Sequence, residues 1–468
     1  MRRFTGIPQR LVLVSAMLFA AGCRAPGPAP ELPSATAEPF SLTGRETPPQ
    51  RWWRSFDDQD LDALIEQSLS GNLDLAAAWE RLREAGAIAR RESGALWPEL
   101  DGSAEAGVTE PDQPTGSEDL RIGLAAAYEF DLWGRLSSRA DAAALGFAAQ
   151  AADYRAAALT LSAEVARTWY QLAAARQQVE LLAAQVRANR DLLTLLDNRY
   201  AGGQVRAVDL FRQEQLLEST REQLFAAEAR RDVLEHLLAV LLGQPAQNPL
   251  PITPGDFPTL GDYPATGLPA RLVQRRPDIR AAWLRLDAAD NELAAAVADQ
   301  YPRLDLTASL TTAGEDASDL FDDWVRSFSG RLLAPLFRGG ALRAEVDRAE
   351  AARNEAIYAY GQATLEAFQE VENALVRESQ QRRRIASLER QVDLGERASE
   401  QLRVAYFNGV GDYIDVLSAL TQLQTLRRDL IDARGLLVEY RIALHRALAG
   451  GFETPRELEA APDPPSSS

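Results

Sequence analysis

The sequence predicts a mainly α-helical protein that also carries membrane β-structure, and three observations predict it. Residues 134–200 and 340–406 each run for 67 positions without a Pro and with scarcely a Gly. Short segments of two-residue alternation precede each run. The arrangement is also written twice: "WPELD" at 97–101 returns as "YPRLD" at 301–305, 204 positions later.

Composition removes several classes of function. The net charge of -18, with no clustered basic patch, argues against a nucleic-acid partner, whose phosphates need grouped cations. All 50 basic residues are Arg, so neither a phosphate-loop Lys nor a Schiff-base Lys exists. His236 and His445 are the only imidazoles, both lie in helical patterns, and no Cys partners them. A metal cluster or a Ser/His/Asp triad is therefore not expected, nor is a cofactor.

At the N-terminus, Arg2, Arg3 and Arg10 precede the apolar run Leu11 to Ala21, which ends at Gly22 and Cys23. Residues 1–22 read as a lipoprotein signal peptide, too short for a spanning helix. Cys23, the only Cys, stands where acylation occurs, although Ala20 occupies a place where such signals prefer Leu. An ordinary cleavage site beside a chance Cys is the alternative, which would leave a reactive thiol with no internal disulfide partner. Residues 23–50 contain seven Pro and read as an extended tether. Arg24, rather than Asp, after the Cys points to outer-membrane sorting.

Two repeats follow, at 51–260 and 261–452, with a tail at 453–468 that reads as disordered. Asn72 to Ala78 resembles Arg276 to Ala282 at a shift of 204. Asp131-Leu132-Trp133-Gly134 matches Phe337-Arg338-Gly339-Gly340, and Tyr200, Gly203 and Asp209 return as Tyr406, Gly409 and Asp415, each at a shift of 206. Strands are read from period two. Leu100, Gly102, Ala104, Ala106 and Val108 share one face, as do Leu120 to Phe130 on even positions and Leu304, Leu306, Ala308 and Leu310. A weaker strand spans roughly Trp324 to Phe337, with Arg326 breaking its pattern. Each repeat thus offers one β-hairpin, at about 99–132 and 303–337. Each also offers one helical hairpin, at about 134–243 and 340–449.

The long helices show a seven-residue seam. Val165, Leu172, Val179, Val186, Leu193 and Tyr200 mark it in the first, and Ile385, Val392, Ser399 and Tyr406 in the second. Such seams mean coiled-coil packing, and 67 residues make a rod of roughly 100 Å. A filament-like coiled coil leaves the hairpins unexplained. Strands of about 9–11 residues with one apolar face, and with aromatics such as Trp97, Tyr128, Trp133 and Trp324 near their ends, suit a membrane barrel. A soluble sandwich is the alternative. Four strands cannot close a barrel, so closure must be shared: two chains give eight strands, three give twelve, and a pore needs three.

The segment "GLPARLVQRRPDIRAAWLRLDAADNELAAAVADQYPRLDLTASL" resembles the central signature of the outer-membrane efflux protein family, the TolC- and OprM-like exit ducts of tripartite pumps. "APLFRGGALRAEVDRAEAARNEA", "YEFDLWGRLSSRADAA" and "ALAGGF" resemble further family motifs, and Cys23 points to the lipoprotein branch. Trp283 departs, standing where many members carry Glu. The resemblance implies a homotrimer with a twelve-stranded barrel in outer-membrane lipid and a twelve-helix periplasmic tunnel. Its implied partners are a periplasmic adaptor (membrane fusion) protein and an inner-membrane transporter of the resistance-nodulation-division (RND) type. It implies passive conduction of drugs and toxic compounds; a type I protein-secretion channel and a structural envelope lipoprotein are the alternatives. Pro98 and Pro302 then mark where helix gives way to strand, since Pro disfavours helical geometry in the residue before it.

By the same resemblance, the turns at 201–208 and 407–414 lie at the periplasmic tips. Asp415 would form a threefold carboxylate ring, while Tyr406 and Asp209 would hold neighbouring helices together. Gly411 stands where some members carry a basic residue, so no salt-bridged lock is expected there. Ser418 supplies no second carboxylate ring. The plainer role of each Asp is to favour the start of its helix.

Overall fold

The computed structural model describes residues 27–30, 39–45, 49–109, 117–248, 254–314 and 318–460; the expected signal peptide, Cys23 and residues 461–468 lie outside them. After a 3-10 turn at Trp52–Phe56, the elements in chain order are α1 (Gln59–Gly71), α2 (Leu73–Gly94), β1 (Glu99–Thr109) and β2 (Ser117–Phe130). Next come α3 (Arg135–Ala201), α4 (Ala207–Leu241), α5 (Pro269–Arg275), α6 (Pro277–Ala298), β3 (Arg303–Gly314) and β4 (Trp324–Leu333). The chain ends with α7 (Ala341–Phe407), α8 (Tyr413–Leu448) and α9 (Pro455–Ala460). Among the described residues no helix is long and apolar enough to cross a membrane.

Counterpart elements keep the offsets of the sequence landmarks. Both α2 and α6 have 22 residues, and both α3 and α7 have 67. The chain divides into two compact units.

The unit that includes Glu80–Ala152 and Ile279–Ala363 holds the sheet. All four strands pair antiparallel in the order β1-β2-β3-β4, because β2 joins β3 as well as β1. Neither β1 nor β4 has a second partner strand among the described residues. Register places Ala126, Ala308 and Phe328 in one row, and Thr307 beside Ser329 in another. On the polar face hydroxyls meet across the strands, Thr307 Oγ1 to Ser329 Oγ at 2.6 Å and Ser309 Oγ to Ser327 Oγ at 3.0 Å. The weaker strand ends at Leu333, short of the expected Phe337, because Pro335 has no N–H to offer a ladder. Beside the sheet, Leu293 and Ala296 of α6 bury against Val346 and Ala349 of α7.

At the foot of the sheet, Pro98 lies between α2 and β1, and Pro302 between α6 and β3. Trp133 stacks on Tyr301 with centroids 4.9 Å apart, and its Nε1 donates to the Pro302 carbonyl at 2.8 Å. That contact ties the exit of β2 to the entrance of β3.

The other unit includes Thr36–Trp79, Asp153–Asp278 and residues from Thr364 on. Its core gathers Trp52, Leu61, Leu64, Ile65, Trp169 and Tyr170, all under 2% exposed. His445 packs there against Trp52 at 5.8 Å and bonds Ser55 Oγ at 3.1 Å. Burial, and secondarily the Arg441 cation, push its pKa down to about 3.

Two expectations change. Part of the expected tether is pinned: Phe40 meets Phe368 at 6.2 Å, the Ser41 amide donates to Glu372 at 2.8 Å, and the Gly44 amide donates to the Pro264 carbonyl at 3.1 Å. Part of the expected disordered tail is the helix Pro455–Ala460. Thr454 and Glu457 form a reciprocal capping box around Pro455, with the Thr454 amide donating to Glu457 and the Glu457 amide donating to Thr454 Oγ1.

Candidate functional site

The two helix-to-helix turns have one backbone design. In the first, Gly203 takes φ +72, its amide donates to the Tyr200 carbonyl at 2.9 Å, and the Gln204 amide donates to the Arg199 carbonyl at 2.9 Å. In the second, Gly409 takes φ +78 with the matching bonds to Tyr406 and, from Val410, to Ala405, each 3.0 Å. Both are Schellman caps, in which only Gly adopts the left-handed position without strain. The next helices start alike. Arg206 and Asp412 cap them with nearly identical dihedrals and no side-chain capping bond. Asp209 and Asp415 fall in the first turns, where the helix dipole favours an acid.

Their surroundings differ. Asp209 is 3% exposed and accepts both arms of Arg206, each at 3.2 Å. The same guanidinium stands 4.0 Å from Asp412, linking the two turns through an exposed and hence weak contact. This ion pair was not expected, because Gly411 occupies the place where some family members carry a basic residue, whereas the Arg here stands on the opposite turn. Asp415 is exposed and has no ion-pair partner among the described residues. Tyr406 packs its ring 5.3 Å from Tyr413, yet its buried hydroxyl bonds nothing among the described residues. Burial, and then the Asp209 charge, raise the Tyr406 pKa. Thus Tyr406 and Asp209 lie close together, but Arg206 is what holds Asp209.

The bond that joins the helices here belongs to Tyr413. It is 1% exposed within a cluster formed with Leu196 and Val416, and its hydroxyl donates to Gln213 Oε1 at 2.5 Å. Gln213 Nε2 donates to the Asn189 carbonyl at 2.8 Å, Gln424 Nε2 to Asn189 Oδ1 at 3.0 Å, and Asn189 Nδ2 to Thr220 Oγ1 at 3.0 Å. These buried polar groups satisfy one another and fix the register of α3, α4 and α8, as polar residues on a coiled-coil seam do. A signal for them existed, since Asn189 stands three residues after Val186 of the seam, and Gln213 and Thr220 three after Leu210 and Leu217, which are themselves seven apart on α4. Arg199 covers the Phe407 ring at 4.6 Å. No group of His, Cys, Asp and Glu that could hold a metal occurs among the described residues.

Long paired helices, a four-stranded sheet with two open edges and capped helical tips make a TolC-like outer-membrane channel. Solved channels confirm the fold. VceC from Vibrio cholerae, 26% identical, superposes with a TM-score of 0.82 over 87% of this chain and 100% of its own. MtrE from Neisseria gonorrhoeae, solved in its open state and 27% identical, gives 0.82 over 92% and 99%. Among curated relatives, the pyoverdine export outer membrane protein OpmQ of Pseudomonas aeruginosa is 31% identical over 482 aligned positions, covering 97% of this chain and 99% of the relative. The solvent efflux pump outer membrane protein SrpC of Pseudomonas putida is 30% identical over 411, covering 85% and 86%. The profile of the outer membrane efflux protein family matches residues 64–244 and 268–450, and the chain belongs to that family. It is an outer-membrane exit duct of an efflux pump.

Proposed function

We propose that three copies of this chain close a barrel in the outer membrane, continued by a periplasmic helical tunnel that conducts small molecules without supplying energy. The observation that carries this reading is the pair of open edges, β1 and β4. In hydrocarbon each unpaired backbone group costs several kcal/mol, so an open four-stranded sheet must find partners. Three sheets of four strands supply twelve, enough for a pore. Small-molecule cargo is supported by relatives named for pyoverdine export and solvent efflux. Acylated Cys23 adds a lipid anchor, and a periplasmic adaptor with an RND-type transporter opens the tip.

The gate reading assigns Asp415 to a threefold carboxylate ring, because its side chain is exposed and unpaired at the tip. Asp209, engaged by Arg206, and Tyr406, through its ring, belong to the latch that keeps the tip closed. Pro98 and Pro302 set the two changes from tunnel helix to barrel strand. A divalent cation about 4 Å from one carboxylate gains about 2 kcal/mol even at the dielectric of water. Asp415→Ala should therefore weaken divalent block about thirtyfold in planar-bilayer recordings, and raise conductance. Unchanged traces would remove Asp415 from the gate; purified protein that makes no pore at all would sink the channel reading itself.

A further inference from the structure

The even positions of β1 to β4 form the apolar face of the sheet: Leu100, Leu124, Ile122, Leu304, Leu306, Leu310, Phe328 and their small neighbours. Arg326 is the one charged residue on that face among the described side chains. It is exposed, lies directly across from Leu310, and is flanked on its own strand by Trp324 and Phe328, themselves 43% and 77% exposed. Its guanidinium has no hydrogen-bond or ion-pair partner among the described residues. An unpaired cation on a lipid-facing surface is costly at the bilayer midplane but costs little near an interface.

Depth decides which applies. Leu304 marks the row of Phe130 and Leu332 at the helix-bearing end of the sheet, and Leu310 stands six residues further along β3. Six residues rise about 20 Å along a strand, or about 15 Å along the membrane normal at the usual barrel tilt. Trp324 is two rows further out, about 5 Å higher. Arg326 thus sits just inside the aromatic level farthest from the helices. From there its long side chain can rise alongside Trp324 and place its charge among headgroups while its methylenes stay in the apolar layer.

We propose that Arg326 binds the phosphate of an anionic lipid in the external leaflet. The planar guanidinium suits a phosphate, which it can grip with two parallel hydrogen bonds. Contact with such a lipid gives the lone charge its counter-ion and fixes the height of the sheet in the bilayer. This assignment rests on the barrel reading above, since the apolar face must meet lipid.

The test uses the full-length protein in vesicles of phosphatidylcholine, with and without a minor fraction of phosphatidylglycerol, read by lipid retention in native mass spectrometry and by thermal dissociation of the oligomer. Wild type should prefer the anionic lipid about fivefold more than Arg326→Gln does, with Arg326→Lys in between. An equal preference in Arg326→Gln overturns the proposal. So does a loss of oligomer stability in Arg326→Gln that is the same in both vesicle types, which would mean an ion pair with a neighbouring protomer. Stabilisation by inorganic phosphate in pure phosphatidylcholine would assign the site to a free anion instead. Failure of the barrel reading has its own readout, wild-type protein that inserts no conducting pore, and the lipid site would fall with it.

Discussion

Replacing Tyr413 with Phe removes one oxygen from the tip and leaves the rest of the packing in place. The ring keeps its contacts with Tyr406 at 5.3 Å and with Leu196, but Gln213 Oε1, on a residue 0% exposed, loses its donor. A buried acceptor left unpaired costs about 1–3 kcal/mol. Since the bond joins α8 to α4, that penalty falls on the closed arrangement of the two turns. It should favour local opening by about 5- to 150-fold. Hydrogen exchange by mass spectrometry would read this as faster exchange confined to residues 404–416 and 206–216, with the strands unchanged. Tyr406→Phe is the matched control. Its hydroxyl is buried without a partner, so deleting it should cost nothing or stabilise slightly. Should Tyr406→Phe loosen the tip more than Tyr413→Phe does, the assignment of the helix-joining bond to Tyr413 is wrong. In Tyr413→Phe combined with Gln213→Met the total cost should be less than the sum of the two, because both delete the Tyr413–Gln213 bond, Gln213→Met also removing the bond to the Asn189 carbonyl.

Two other outcomes follow from the buried His445 and from the capping residue Asp412. His445 has a folded-state pKa pushed down to about 3, against an ordinary value near 6.5. The unfolded chain therefore binds a proton that the folded chain refuses between these values, so stability present above about pH 6.5 is lost as pH falls, by about 1.4 kcal/mol per unit. Thermal melts of detergent-solubilised protein from neutral to about pH 4 should show a shallower acid decline in His445→Phe than in wild type. Asp412→Arg places a guanidinium three residues before Asp415, as Arg206 stands before Asp209. Divalent block in planar bilayers should weaken toward the Asp415→Ala value although Asp415 is untouched, and a wild-type response would show that Asp415 is already neutralised by another group.

Local features were legible because they depend on local period and backbone chemistry. The 67-residue runs became α3 and α7, shifted by one residue, and the alternating segments fall within β1, β2 and β3, the last two extending three and four residues beyond them on the side away from the helices. Gly203 and Gly409 announced their turns, since a helix that ends and reverses needs a left-handed residue. Long-range partners were not legible. The period of β2 says which residues share a face, but not that its second edge meets β3. Arg206 was overlooked because its two carboxylates lie on different hairpins, and no spacing rule connects 206 with 412. The α9 helix is the opposite case, since Thr454, Pro455 and Glu457 spell a capping box within the tail expected to be disordered.

The chain's internal repeat explains why two Asp residues at equivalent positions can have different surroundings. Positions 206 and 412 are counterparts, each the capping residue of its helix with the same extended backbone and no side-chain capping bond. One is Arg and the other Asp. At three residues' separation on a helix start, opposite charges attract and like charges repel. Arg206 accordingly folds back on Asp209, which can then be 3% exposed because its charge has a counter-ion. Asp412 offers Asp415 only repulsion, so the second carboxylate stays in solvent, and Asp412 turns instead toward Arg206 on the other hairpin. A single sign at the capping position therefore decides which Asp is engaged by an ion pair at its own helix start and which stays exposed. The buried bond from Tyr413 to Gln213 follows the same division, since position 207, the counterpart of Tyr413, is Ala and can make no such reach.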